Sequence, residues 1–280
     1  MKAVPFFVTL GLAALGALPL RPAQAQQPEP QTEPEAPPLR YLLGASVTNG
    51  PEYDGARSRD TRLRPLWAAR LGRWRISTSG GSALLGFGQE HTGAGAGAST
   101  TLIDRKRLRL GVSLRIDSGR RSGDASTTRG LPDVKRTLRG RLYASYSLNP
   151  DWVLGASLSQ DLLGRQGGLT ASLDLGWRIY RSPTLEWTSG IGLSAGNATN
   201  LRSYYGIPES AAAPMGKPAY EPGAGLKSLH AGMGFTRPLS KHWFVFGSAG
   251  VSQLLGPVAD SPLVEKRSGS AASLGLAWRN

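Results

Sequence analysis

The chain contains no cysteine, and only three methionines and three histidines in 280 residues. Without cysteine there is no disulfide framework, no thiolate nucleophile and no thiolate metal site. Acid is also scarce: Lys and Arg number 33 against 19 Asp and Glu, a formal charge of +14. After Ala25 no stretch is both apolar and long enough to cross a membrane as a helix, which excludes a helical membrane bundle. Charged residues make up 19% of the chain, too few for a disordered polyelectrolyte. Glycine is abundant instead, at 37 residues, about twice average usage. Inside a helix each costs about 1 kcal/mol relative to alanine, so the composition points to an all-β fold.

Residues 1–25 read as a secretory signal peptide. Lys2 is followed by an uncharged, mostly apolar run over 4–20, and Ala23-Gln24-Ala25 supplies a small-x-small cleavage site. Residues 26–38, QQPEPQTEPEAPP, hold almost no apolar side chain and cannot build a core. They are expected to form a disordered spacer. The folded part is then 39–280.

Over that part the period is two. Leu108, Leu110, Val112, Leu114 and Ile116 alternate with Arg107, Arg109, Gly111, Ser113 and Arg115. Leu169, Leu173, Leu175 and Trp177 alternate with Thr170, Ser172, Asp174 and Gly176. One apolar face opposite a small and polar one marks a strand between two media. The runs near 107–117, 151–161, 168–180, 184–194, 225–237, 241–254 and 267–278 reach the roughly 9–11 residues that cross a bilayer on a tilt.

Short connections at 71–72, 104–106, 149–151, 181–183 and 238–241 alternate with longer ones near 50–59, 80–93, 118–137, 162–167, 195–224 and 255–266. That alternation is the outer-membrane arrangement. It predicts a closed antiparallel transmembrane β-barrel of about twelve strands. Ten remain open, because the fourth strand, somewhere in 82–104, is weakly marked. All seven tryptophans, Trp67, Trp74, Trp152, Trp177, Trp187, Trp243 and Trp278, lie near the short turns or the C-terminus. An aromatic girdle at one membrane interface explains this placement, because indole favours the headgroup region. An exported, cysteine-free barrel of this kind belongs in a Gram-negative outer membrane.

The basic excess is dispersed, so no nucleic-acid partner is expected. Arg73, Arg75, Arg107, Arg109, Arg115, Arg139, Arg141 and Arg178 fall on the small-residue face and are expected to line the lumen, with Asp174 and Glu186 as the few acids there. A basic lumen would favour anions in an open pathway. In the 118–137 loop, Arg120, Arg121, Arg129, Lys135 and Arg136 suit lipopolysaccharide phosphates. Catalysis needs a nucleophile or carboxylate within reach of a base. His91, His230 and His242 sit in no such motif, so no catalytic, metal or cofactor site is expected. Gly93 to Ala98 lacks the strand, turn and helix of a dinucleotide loop. Asn197-Ala198-Thr199 matches a glycosylation sequon, discounted in a bacterial envelope.

Several segments resemble one family. Pro51-Glu52-Tyr53-Asp54-Gly55 is similar to a P-x-Y-x-G near the start of MipA/OmpV-type outer-membrane proteins. Arg129-Gly130-Leu131-Pro132-Asp133-Val134 is similar to their R-G-L-x-D-V loop, with Pro132 where glycine is usual. Tyr204-Tyr205-Gly206-Ile207 and the run Pro218-Ala219-Tyr220-Glu221-Pro222-Gly223-Ala224-Gly225-Leu226-Lys227 carry the resemblance further. It closes with Leu239 to Trp243 and with 254–264, which includes Asp260-Ser261-Pro262. The resemblance covers most of 41–280. Two features depart from it: the ending Trp278-Arg279-Asn280, where a terminal Phe or other aromatic is usual, and the basic charge. The resemblance implies a barrel without catalytic residues that acts as a scaffold. It would bring an MltA-type murein lytic transglycosylase together with a penicillin-binding murein synthase, in a membrane of lipid and lipopolysaccharide. Other members are described as porins or immunogenic surface proteins, which keeps a small anion-preferring channel or a surface antigen as alternatives.

Overall fold

The structure, a computed structural model, describes residues 39–78 and 96–280. The signal-peptide and spacer readings, His91 and Gly93 to Gly95 lie outside the described residues.

Twelve strands form one closed barrel. They are β1 (Arg40–Pro51), β2 (Arg59–Leu71), β3 (Trp74–Ser77), β4 (Gly97–Asp104), β5 (Leu108–Asp117) and β6 (Thr137–Ser147). The second half is β7 (Trp152–Asp161), β8 (Leu169–Arg181), β9 (Glu186–Gly196), β10 (Gly225–Pro238), β11 (Trp243–Leu254) and β12 (Ser268–Arg279). Each strand pairs antiparallel with the next, and β12 closes on β1 through Leu43↔Trp278 and Asn49↔Ala272. The weakly marked fourth strand is Gly97–Asp104, held by Ile76↔Ala98 and Ser99↔Ser113. The barrel therefore has twelve strands and not ten.

Alternation along each strand sets the solvent on each side. On β5, Val112, Leu114 and Ile116 are exposed while Gly111, Ser113 and Arg115 are buried. The apolar face points outward around the ring, with Leu142, Leu158, Leu173 and Leu274 equally exposed. Facing water, such a belt would cost about 25 cal/mol per Å² of apolar area. Facing hydrocarbon it is favourable, and closure leaves no unpaired edge in the lipid.

All short turns lie at one end of the barrel, and the first and last strands meet there too. The Asn280 side chain donates to the Leu39 carbonyl and accepts from the Tyr41 amide. The tryptophans lie in cross-strand rows toward this end. Trp67↔Leu43, Leu43↔Trp278 and Trp278↔Trp243 form one row over β2, β1, β12 and β11. Trp152 stacks on Trp177 at 5.2 Å, and Trp187 lies 5.4 Å from Phe235. Trp278 sits between Tyr41 and His242, 5.5 Å from each. Trp74 is exposed beside the turn that joins β2 to β3.

The inner wall is not uniform. Toward the short-turn end Leu42, Leu66, Ala68, Phe244, Phe246 and Ala277 form a buried apolar cluster from β1, β2, β11 and β12. A strict period-two reading gives this wall only small and charged residues. Phe244 and Phe246 break it by packing inward on the same strand.

Candidate functional site

The long loops fold into a cap at the other end. Two helices shape the β9–β10 connection: α1 (Ala198–Tyr205) and α2 (Glu209–Met215). A third, α3 (Gly256–Ala259), opens the β11–β12 connection. Asn197 starts α1 because its side-chain oxygen accepts from the Asn200 amide, a normal N-cap. The sequon asparagine is thus a helix cap.

Three loops meet at Tyr204. The Tyr53 hydroxyl, after β1, donates to the Tyr204 carbonyl. The Tyr204 hydroxyl donates to Asp117 Oδ2 at the end of β5, 3.2 Å away. Arg120 Nη2, just beyond β5, donates to the Ser203 carbonyl at 3.2 Å and to the Pro132 carbonyl at 2.9 Å. The order of strands puts β1, β5 and β9 four apart around a ring of twelve. Loops that leave the rim a third of the circumference apart can touch only by crossing the mouth. The cap therefore spans the opening.

Most residues of the family motifs are consumed in this cap. Tyr205, buried, donates through its hydroxyl to Asp54 Oδ2 at 2.8 Å, and Lys227 Nζ lies 3.3 Å from the same carboxylate. Gly55, at φ +90°, turns its carbonyl to accept from the amides of Glu265 and Lys266. Pro51 ends β1, and Gly225 begins β10 against Pro257. Ser122 N–H donates to Asp133 Oδ1, and the Gly130 amide donates to Ser122 Oγ. The Tyr220 hydroxyl donates to the Pro257 carbonyl, and Tyr220 forms a two-residue bridge with Ile207. Ser261 Oγ donates to the Tyr205 carbonyl, Lys217 Nζ donates to the Pro262 carbonyl, and Asp260 pairs with Arg267 at 2.9 Å. The Gly206 amide closes α1 on the Arg202 carbonyl. Of Gly55, Gly130, Gly206, Gly223 and Gly225, Gly223 is the one with open space around it. Two apolar knots fill the cap: Leu131, Ile207, Ala211 and Leu263, and Leu201, Tyr205, Leu254 and Val258.

The electrostatics follow from burial and charge. Burial pushes the hydroxyls of Tyr53, Tyr204 and Tyr205 well above the ordinary tyrosine range, so they remain donors. The Lys227 ammonium holds the Asp54 carboxyl below the usual carboxylate range, helped by the Tyr205 hydroxyl.

The predicted lumenal arginines divide. Arg75, Arg115 and Arg139 are buried on the inner wall. Arg75 bonds the Thr101 hydroxyl. Arg139 donates to the Gly167 and Gly168 carbonyls and lies 3.4 Å from Asp117, tying the wall to the cap. Arg141 and Arg109 share this face and are half-buried; Arg109 also lies 3.6 Å from Asp104. Arg178 pairs with Glu186 at 3.1 Å. Arg73 and Arg107 lie just outside β3 and β5, exposed at the short-turn rim, and Arg73 Nε donates to the Thr100 hydroxyl at 3.3 Å. Arg120 is 4% exposed, buried in the cap and unavailable to lipopolysaccharide.

The wall also joins Asp174 and His230, 2.9 Å apart, a pair 56 residues apart in sequence that periodicity alone could not reveal. Among the described residues no group of three or more His, Cys, Asp or Glu could hold a metal ion.

A family model described as "MltA-interacting protein MipA" matches residues 43–280. The MltA-interacting proteins of Escherichia coli (strain K12) and Shigella flexneri are each 27% identical over 159 residues, 56% of this chain. The match spans 62% of the length of those relatives. Among solved structures, the NanC porin is similar with a TM-score of 0.43 at 9% identity, covering 84% of this chain and 98% of that one. An anion-selective porin from Comamonas acidovorans reaches a TM-score of 0.38 at 11% identity, covering 87% and 99%.

Proposed function

This chain belongs to the MipA family of MltA-interacting proteins, and from that premise we propose that it is a non-enzymatic scaffold of the outer membrane. It holds a lytic transglycosylase and a penicillin-binding murein synthase at its periplasmic face. Short turns face the periplasm in bacterial outer-membrane barrels, so that face is formed here by the five short turns with the start of β1 and the end of β12. The observation that carries the reading is the cap. Most of the family-motif residues knit loops across the outer mouth rather than line a pore or a reaction site, and Leu239 to Trp243 form a short turn at the other end. The periplasmic turns remain free to bind. They are basic, with Arg105, Lys106, Arg181 and Lys241 exposed, and Leu71 and Leu239 beside them as apolar contacts.

The test reconstitutes the barrel in nanodiscs with a purified transglycosylase and a purified murein synthase. The barrel should retain both at once, and substitution of Arg105 and Lys106 by Glu should weaken retention. Equal retention by empty nanodiscs would remove the proposal.

A second reading, a small anion-preferring channel, is favoured by one observation, the arginine-lined inner wall. In planar bilayers, neutral substitution of Arg109 and Arg141 should then shift the reversal potential toward cations. A barrel that conducts with an unchanged potential would refute the lumenal role.

A further inference from the structure

The outer wall carries a groove that runs from the lipid-facing strands up to the edge of the cap. Its residues are set by register. Ile191↔Ala231, Ala231↔Val251 and Val251↔Ser270 place one outward row across β9 to β12, and Pro51↔Arg59 extends it over β1 and β2. Small Ala231 and Ser270 alternate with larger Ile191 and Val251, which leaves a cavity of about 450 Å³. The groove has two ends of different chemistry. On β9 to β11 its outward side chains are mostly apolar, with Val251 60% exposed and Ile191 40% exposed, and Gln253 is the polar one among them. On β12 to β2, at the long-loop rim, Arg57, Arg59 and Lys266 line it.

Arg59 is already aimed. Its Nε and Nη2 donate to Asn49 Oδ1 at 2.9 and 2.6 Å, and Nη1 donates to the Ser270 carbonyl and hydroxyl at 3.0 and 3.2 Å. All these acceptors are neutral, so the positive charge is oriented without being cancelled. Of the acids at this rim, Glu265 Oε2 accepts from the backbone amide of Arg57, and Asp60 pairs with Arg62. The residues lining the groove include three cations and no carboxylate, which leaves this end basic. At this level an arginine would ordinarily snorkel toward water on a flexible stem. Here it is pinned along the wall, at the cost of its side-chain entropy.

We propose that this groove binds one phosphorylated, multiply acylated glycolipid of the outer leaflet. Arg59, Arg57 and Lys266 hold its phosphate, and an acyl chain lies over Ala231 and Val251. The long-loop end faces the outer leaflet, where such lipids are concentrated. A guanidinium fork suits a phosphate group. The apolar half distinguishes a lipid from free phosphate, which would gain nothing from Ile191 or Val251. The inference rests on the barrel and its orientation and is independent of the scaffold reading.

The test uses the full barrel, washed free of lipid in detergent and offered defined lipids, with retained lipid counted by native mass spectrometry. The probes are bisphosphorylated lipid A, its enzymatically dephosphorylated form and phosphatidylglycerol. The barrel should retain one lipid A, and dephosphorylation should weaken retention about tenfold or more, the equivalent of about 1.4 kcal/mol. A triple Arg57→Gln, Arg59→Gln, Lys266→Gln variant should lose the same factor. Ala231→Trp, which fills the groove and keeps the cations, should lose it too. Heat-modifiable gel mobility verifies that each variant is folded, and Arg107→Gln, exposed at the opposite rim, should retain lipid A normally. Undiminished retention by the triple variant or by Ala231→Trp would overturn the site. Equal retention of phosphatidylglycerol would overturn the glycolipid assignment.

Discussion

Tyr205 shows how a single side chain couples the cap. Its ring packs against Leu201, Leu254 and Val258, while its hydroxyl reaches Asp54 on a different loop. Tyr205→Phe keeps the packing and removes one hydrogen bond, worth about 1 kcal/mol. Amide exchange in 198–205 and 256–259 should rise about fivefold, with the strands unchanged. Asp54 supplies a pH dependence with a definite sign. Its folded pKa lies below the unfolded value of about 3.9. Its contribution is therefore present above that unfolded value and is lost as pH falls through the folded one. Carboxyl NMR should find the Asp54 midpoint below about 3.9. Lys227→Met should raise it, because the ammonium is the largest cause of the depression. An unmoved midpoint would contradict that pairing.

Strands and loops depend on different residues. Phe246 lies on the inward face of β11, so Phe246→Ala should destabilise the barrel by about 3–5 kcal/mol in urea unfolding from lipid vesicles. Leu158→Ala on the lipid face of β7 should cost less, because the opened space fills with acyl chain. Gly119 governs a loop instead. At φ +71° a Cβ would stand 1.9 Å from the Val134 carbonyl oxygen, within the Arg120↔Val134 bridge. Gly119→Ala should open 118–136 to protease while the folded barrel keeps its gel mobility.

This division also explains which features the sequence displays. Lipid acts on every outward side chain, so Leu108 to Ile116 and Ala272 to Trp278 display the strand period openly. The turn at 149–151 announces itself by Asn, Pro and Asp. The inward Phe244 and Phe246 did not stand out, because an apolar residue on a strand carries no mark of which side it faces. The meeting of Tyr53, Asp117 and Tyr204 was equally hidden, since it depends on β1, β5 and β9 being evenly spaced around a closed ring. Motif similarity pointed to most of these loop residues without showing that they bind one another.

At the scale of the molecule, a belt of lipid-facing side chains, a basic and partly apolar interior and a knitted outer cap form an outer-membrane barrel, and the proposed working face is its periplasmic side. The central claim is that this side recruits murein enzymes. Affinity capture of the tagged barrel from crosslinked envelopes, with mass spectrometry and another barrel of similar abundance as control, tests it most directly. The account predicts selective enrichment of a lytic transglycosylase and a murein synthase. Their absence from a preparation in which the barrel is demonstrably folded would contradict it.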